Sequence, residues 1–268
     1  MKIIDAHIHT SFSNKEATTF AKRNGIDFSW NGLQKSMKDN FIQNVIAITT
    51  DTSDPTPGES QLLLAQTKKD SRLKPVCSIN PNYVSNNQVK AVEKLMKNKQ
   101  IVGIKIFPGY YPVYPNDKRY FPFYKLAGKY DVPVIIHTGD TFGSKHLVKY
   151  SHPLPVDEIA VKFSRTTFIL AHLGFPWVRE AAELVYKNEN VYADLSAFCI
   201  GRVHKAPAYV ISDIRYALEA SDRPDKFLYG SDWPLVDMKK YIQIIKQAVP
   251  QKYHSKIFYE NAKRVFKL

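Results

Sequence analysis

His7 and His9 stand two residues apart in the run KIIDAHIH (2–9), and they are the first side chains in the chain suited to gripping a metal ion. Side chains alternate along a strand, so the two imidazoles are expected on one face, with Ala6 and Ile8 on the other. A lone His-x-His pair is equally compatible with two exposed histidines. The pattern continues, however: His137 follows PVII, His172 follows FILA and Asp232 follows LYGS, each just ahead of Gly, Thr or Trp-Pro. Those are places where a strand gives way to a loop. Imidazole nitrogens with a carboxylate form a borderline-soft donor set, so one divalent ion is expected there, with zinc first and iron, cobalt or manganese behind it.

Something must bring these five residues together. Eight short apolar, β-branched runs recur along the chain: 2–9, 45–50, 73–79, 102–107, 133–139, 167–174, 191–196 and 227–233. Most are nearly continuous in hydrophobicity, as strands covered on both faces should be. Segments of helical spacing lie between them, among them NQVKAVEKLMKNK, VREAAELVYKN and MKKYIQIIKQAV. Asp157 and Glu158 open one such helix, and Gly128-Lys129 is expected to close another. Strand then helix, eight times over, predicts a single (β/α)8 TIM barrel of one domain over 1–268. Its active site belongs at the strand C-termini, so the five polar residues converge on one rim. Two irregular stretches, Thr10–Trp30 and Pro108–Pro122, follow strands and are expected to cover that rim.

The segments IDAHIHT (4–10), GIKIFPGY (103–110), PVIIHTGD (133–140), FILAHLGFPW (168–177), NVYADLS (190–196) and LYGSDWP (228–234), with YENAKRVF (259–266), resemble the amidohydrolase superfamily. The likeness runs end to end, in family order, and is to the amidohydrolase-related branch that includes the aminocarboxymuconate-semialdehyde decarboxylase-like enzymes. It implies that His7, His9 and His137 are metal ligands. Asp232 would be a ligand or metal neighbour and the general base, while His172 would be a further ligand or a donor to the substrate oxygen. A divalent ion lowers the pKa of its water, a carboxylate can take the proton, and an imidazole can stabilise an oxyanion.

Lys105 is expected to face substrate as a cation beside a single metal. The alternative, by resemblance to binuclear members, is a carboxylated lysine bridging two ions. Many relatives carry a histidine where this chain has Phe107, a departure that weakens detailed transfer of substrate. Arg202 and His204 are candidates to hold an anionic substrate group, against a plain exposed loop pair. Asp5 and Asp194 could orient a ligand histidine, Asp5 from the same face as His7 and His9. Trp177 and Trp233 are expected in the core, His152 as a cap, and His146 and His254 on the surface.

Composition narrows the classes. The 268 residues are 44% hydrophobic and 24% charged, which excludes a disordered or coiled-coil chain. Cys77 and Cys199 stand alone and far apart, excluding a disulfide scaffold, and no apolar run approaches the roughly 18 residues of a membrane span. A cytoplasmic protein is expected, with no membrane partner. The net charge of +13 is scattered over helical segments, so no nucleic-acid partner is expected. The expected partner is a small-molecule substrate, with a homodimer as the expected assembly. The leading function is a metal-dependent hydrolase of an amide, lactone or ester. Its alternatives are a non-oxidative decarboxylase using the same residues, and a noncatalytic binding protein that kept the barrel.

Overall fold

The computed structural model describes residues 1–49, 58–198 and 207–268. Eight strands run in chain order around one parallel sheet: β1 (Ile3–His9), β2 (Ile42–Ile48), β3 (Leu73–Ser78), β4 (Gly103–Ile106), β5 (Val134–Ile136), β6 (Phe168–Leu170), β7 (Val191–Asp194) and β8 (Phe227–Leu228). Between and around them lie α1 (Lys15–Arg23), α2 (Trp30–Asp39), α3 (Gly58–Lys69), α4 (Asn86–Lys97), α5 (Phe121–Tyr130), α6 (Pro155–Lys162), α7 (Val178–Lys187), α8 (Pro207–Ser221), α9 (Met238–Ala248) and α10 (Asn261–Phe266). The expected TIM barrel is the observed fold.

The sheet closes on itself at a seam beyond β8. Ala6 N–H donates to Tyr229 O, His9 N–H to Trp233 O and Asp232 N–H to His7 O, each at 2.8 Å. Two apolar layers result. Ile46, Ile48, Ile135, Ile169 and Leu228 fill the barrel, and Ala262 and Phe266 of α10 pack against them. Val45, Ala47, Ile104, Ile106, Val134 and Ile136 face outward onto Leu33, Met37, Val92 and other helix residues. Being apolar on both sides is what made these strands continuous hydrophobic runs.

β1 departs from simple alternation. Asp5 pairs with Val45 and Ile8 with Ala47, so three residues on β1 span two on β2. This bulge turns the strand over. Ile4 and Ala6 point into the barrel before it, Ile8 points outward after it, and His7 and His9 then share the inner face. The expectation that Ala6 lies on the face opposite the histidines is therefore corrected.

Boundaries differ elsewhere. Thr10–Trp30 is not a loop throughout: it contains α1, which Asn14 caps by accepting from Ala17 N–H at 3.0 Å, and Trp30 already begins α2. Gly128-Lys129 does lie in the last turn of α5, which ends at Tyr130 before Asp131 turns left-handed at φ 52°. Asp157 and Glu158 do sit in the first turn of α6. No helix among the described residues is long and apolar enough to cross a membrane.

Candidate metal centre

The rim of the barrel opens into a cavity of about 600 Å³ lined by His7, His9, Lys105, His137, His172 and Asp232, among others. His7 and His9 arrive from the bulged end of β1, and His137 directly follows β5. His172 and Asp232 are not on strands. β6 stops at Leu170 and β8 at Leu228, and both residues sit in left-handed turns, with φ 61° and 63°. A non-glycine residue pays steric strain for that conformation, a pattern that clusters at functional sites. Gly139, two residues past His137, has φ +91°, and a Cβ there would meet Phe175 O at 2.2 Å, so only glycine fits the turn.

Hydrogen bonds decide which nitrogen of each imidazole is left for a ligand. A carbonyl or carboxylate can only accept, so the nitrogen facing it carries the proton. His7 Nδ1 lies 2.8 Å from Asp194 Oδ2, His9 Nδ1 3.4 Å from Ile48 O, and His137 Nε2 3.0 Å from Asp140 O. His7 is thereby left with a bare Nε2 and His137 with a bare Nδ1, whereas His9 faces an acceptor at each nitrogen, Ile48 O at Nδ1 and Asp232 Oδ1 at Nε2. Ser196 Oγ donates to Asp194 Oδ1 at 2.5 Å and so accepts from His172 Nδ1 at 2.8 Å. His172 too presents a bare nitrogen to the cavity. It suits a ligand or a proton acceptor, and the neutral ring cannot act as the expected donor to a substrate oxygen.

Burial keeps the His7, His137 and His172 rings neutral. It lowers the pKa of His7, with Lys105 adding to the effect, takes His137 well below its usual value and takes His172 to about 3. Asp232 stays ionised: burial pushes its carboxyl up, but the neighbouring imidazoles, His9 foremost, outweigh it. Asp194 is held ionised against burial by His7 and Ser196. Lys105 is fully buried, its pKa lowered to about 8 by burial, and its Nζ has no hydrogen-bond partner.

The donor set fits a divalent cation. His7, His9 and Asp232 offer atoms that all lie within 4.8 Å of one another. Asp232 Oδ1 stands 3.0 Å from His9 Nε2 and 3.7 Å from His7 Nε2. His7 Nε2 and Asp232 Oδ1 are both buried without a hydrogen-bond partner. Bare acceptors facing one another in a dry site are costly unless a positive charge sits among them. A second group, His7, His172 and Asp194, is equally close, but its carboxylate already accepts N–H and O–H donors.

Other expectations resolve variously. His137 lines the cavity, 5.0 Å from His172 between ring centres, but is outside both converging groups. Asp5 does not orient a ligand ring, because the bulge puts it on the outer face. Its Oδ1 accepts the backbone N–H of Ser231 at 2.9 Å and of His7 at 3.2 Å, and burial pushes its carboxyl up to about 7. The orienting carboxylate is Asp194, and with it Ser196, which the sequence reading passed over although both end the run VYADLS. Arg202 and His204 lie outside the described residues. Trp233 is buried against Phe28, and Trp177 packs on His152, whose Nδ1 accepts Leu154 N–H near the start of α6. His254 bonds Val249 O past the end of α9, while His146, expected on the surface, lines the cavity and meets the Tyr110 ring at a tilt, 4.6 Å between ring centres. Tyr110, read only as part of a stiff Tyr/Pro loop, is a cavity wall.

The family model described as Amidohydrolase matches residues 4–268. No curated protein matches the chain. Among solved structures it is similar to a TIM-barrel protein of Bordetella bronchiseptica described as uncharacterized, at 19% identity over 100% of this chain and 99% of that one, TM-score 0.79. It is also similar to 5-carboxyvanillate decarboxylase from Sphingomonas paucimobilis, at 13% identity over 100% and 99%, TM-score 0.73. A third is an amidohydrolase from Burkholderia multivorans with bound zinc, at 14% identity over 100% of both chains, TM-score 0.73. At such identities the solved structures speak for the fold.

Proposed function

The chain belongs to the amidohydrolase family, and from that premise we propose that it is a metal-dependent hydrolase that uses an activated water on an amide, lactone or ester bond of a small, anionic substrate. One observation carries the reading: His7, His9 and Asp232 offer ligand atoms that all lie within 4.8 Å of one another, and two of these atoms, His7 Nε2 and Asp232 Oδ1, are buried without a hydrogen-bond partner. Zinc is the metal proposed for them, with His137 Nδ1 as the further donor from β5. Bound there, it would lower the pKa of a water towards neutrality and polarise the scissile carbonyl.

The chain's own groups supply the rest. Asp232 takes the proton of the attacking water on its carboxylate, at the oxygen not turned to the metal, and returns it to the leaving group. Asp194 fixes His7 through Nδ1 and, through Ser196, fixes His172, so both rings keep one orientation. Lys105 Nζ, buried and unpartnered, supplies a positive charge for an anionic substrate group. Phe28, Phe107 and Phe175 line the same cavity and exclude bulk water from the reacting atoms.

Lys105 also favours the second reading, a non-oxidative decarboxylase of an unsaturated or aromatic carboxylate, because such a lyase needs a cation to hold the leaving group. One experiment separates the two. Protein purified without chelator is assayed for metal by elemental analysis beside a His7→Ala/His9→Ala control, then screened on lactones, esters and carboxylates with proton release and CO2 followed together. One equivalent lost in the control, with proton release and no CO2, is the expected result. CO2 without hydrolysis moves the chain to the lyase, and no metal even after reconstitution overturns both.

A further inference from the structure

A carbonyl under attack by water develops negative charge on its oxygen, and the largest single contribution to such catalysis is a hydrogen-bond donor already in place. The imidazoles around this cavity are poor candidates. His7, His9 and His137 direct their N–H groups at Asp194, Ile48 O and Asp140 O, and His172 directs its own at Ser196. Tyr209 donates its hydroxyl to Phe198 O at 2.9 Å. Two groups beside the histidines are spared such commitments: the ammonium of Lys105 and the phenol of Tyr110.

Tyr110 is fixed on all sides. Its ring meets His137 edge-on at 4.8 Å, Phe107 at 5.8 Å and His146 at 4.6 Å. Its backbone lies in a tight turn after β4, where Gly109 N–H donates to Tyr111 O and Leu147 N–H to Gly109 O. Phe142 N–H then donates to the phenol oxygen at 2.9 Å. That bond occupies a lone pair, so the hydroxyl hydrogen turns away from it, and no acceptor among the described residues takes it. The geometry is that of a donor whose hydrogen awaits a partner from the cavity.

We infer that Tyr110 is a catalytic residue that donates its hydroxyl hydrogen bond to the substrate carbonyl oxygen; the inference rests on the hydrolase reading. As the water oxygen bonds to the carbonyl carbon, one water proton passes to the Asp232 carboxylate and the C=O electron pair moves onto oxygen, where the Tyr110 O–H meets it. On collapse that pair returns, the C–O bond to the leaving group breaks, and the leaving oxygen takes the proton back from Asp232. Tyr110 is unchanged at the end.

The test compares zinc-loaded wild type, Tyr110→Phe and Asp232→Asn, as full chains, on 4-nitrophenyl acetate and on methylphosphonate, a tetrahedral anion resembling the intermediate. Phenylalanine keeps the ring contacts and removes only the hydroxyl. Tyr110→Phe should hold a full zinc complement while kcat falls about 100-fold and methylphosphonate affinity falls with it. KM for the ester should move less than about 3-fold, as expected for an interaction made only in the transition state. If Asp232→Asn is inactive but Tyr110→Phe matches wild type in kcat and phosphonate affinity, the donor is overturned and the hydrolase stands. Loss of zinc in Tyr110→Phe likewise overturns it, by making the residue a support of the metal. Zinc-loaded wild type that neither cleaves the ester nor binds methylphosphonate overturns donor and hydrolase together.

Discussion

Asp194 Oδ2 accepts from His7 Nδ1 at 2.8 Å while its Oδ1 accepts the backbone N–H of His172 at 3.0 Å. One carboxylate at the end of β7 therefore sets the ring of a residue on β1 and the backbone of a residue after β6. Partners of this kind are worth about 10- to 100-fold in metal affinity. Asp194→Asn should weaken zinc binding by about that factor in a dye-competition titration, with the fold intact by circular dichroism. Wild-type affinity in the variant would remove Asp194 from the site.

Gly230, two residues past the end of β8, touches the same arrangement. A Cβ placed there would lie 2.9 Å from His7 Cβ and 3.1 Å from Ser196 Cβ, neither of them the end of a flexible side chain. Gly230→Ala should cost about 1–3 kcal/mol in urea unfolding, as over-packing does, and should reduce zinc content as His7 is displaced. Unchanged stability and zinc would show that the seam can yield there.

Lys105→Met separates a substrate-facing cation from a bridging ligand. Methionine fills similar apolar space without the charge, and a like charge leaves the metal's surroundings. The variant should therefore keep one zinc per chain by elemental analysis, bound no more weakly than in wild type, while KM for anionic substrates rises. A fall from two zinc ions to one would instead make Lys105 a ligand.

Away from the site, Asp70 accepts from Arg72 Nε at 2.9 Å, Arg72 Nη2 at 2.6 Å and the Arg72 backbone N–H at 3.0 Å, in the turn before β3. The Arg72 side chain holds this carboxyl below its ordinary range. Its unfolded pKa is about 3.9, so the stabilisation is complete above that pH and is lost as pH falls through the lower folded value. Asp70→Asn should cost about 1 kcal/mol at pH 7, with the gap to wild type closing as pH falls below the unfolded value of about 3.9. A gap that stays constant with pH would show that the ion pair contributes nothing.

The barrel was legible because its strands are apolar on both faces: runs such as PVII and FILA have no polar side to hide, and the parallel sheet follows. The histidines and Asp232 were legible because each ends such a run. Two things were not. The bulge in β1 is a matter of pairing with β2, which one strand's alternation cannot reveal, so Asp5 was placed on the wrong face. Asp194 was named as a residue that could orient a ligand histidine, but Ser196 and Tyr110 were hidden because they act through neighbours distant in sequence, and a serine or tyrosine past a strand end has many ordinary uses. α1 and α2 were missed beneath a segment whose polarity reads as loop; Asn14 and Ser29 as caps were the available signal.

The three backbone bonds that close the barrel seam run between Ala6, His7 and His9 on one side and Tyr229, Asp232 and Trp233 on the other. During synthesis the first of these groups leaves the ribosome early and the second only near the end. The growing chain thus carries the His7 and His9 imidazoles long before Asp232 can join them, and the three come together only when the ring of strands shuts. If they hold a metal as proposed, loading would follow closure of the barrel, and a chain truncated before Ser231 would lack the carboxylate of the set.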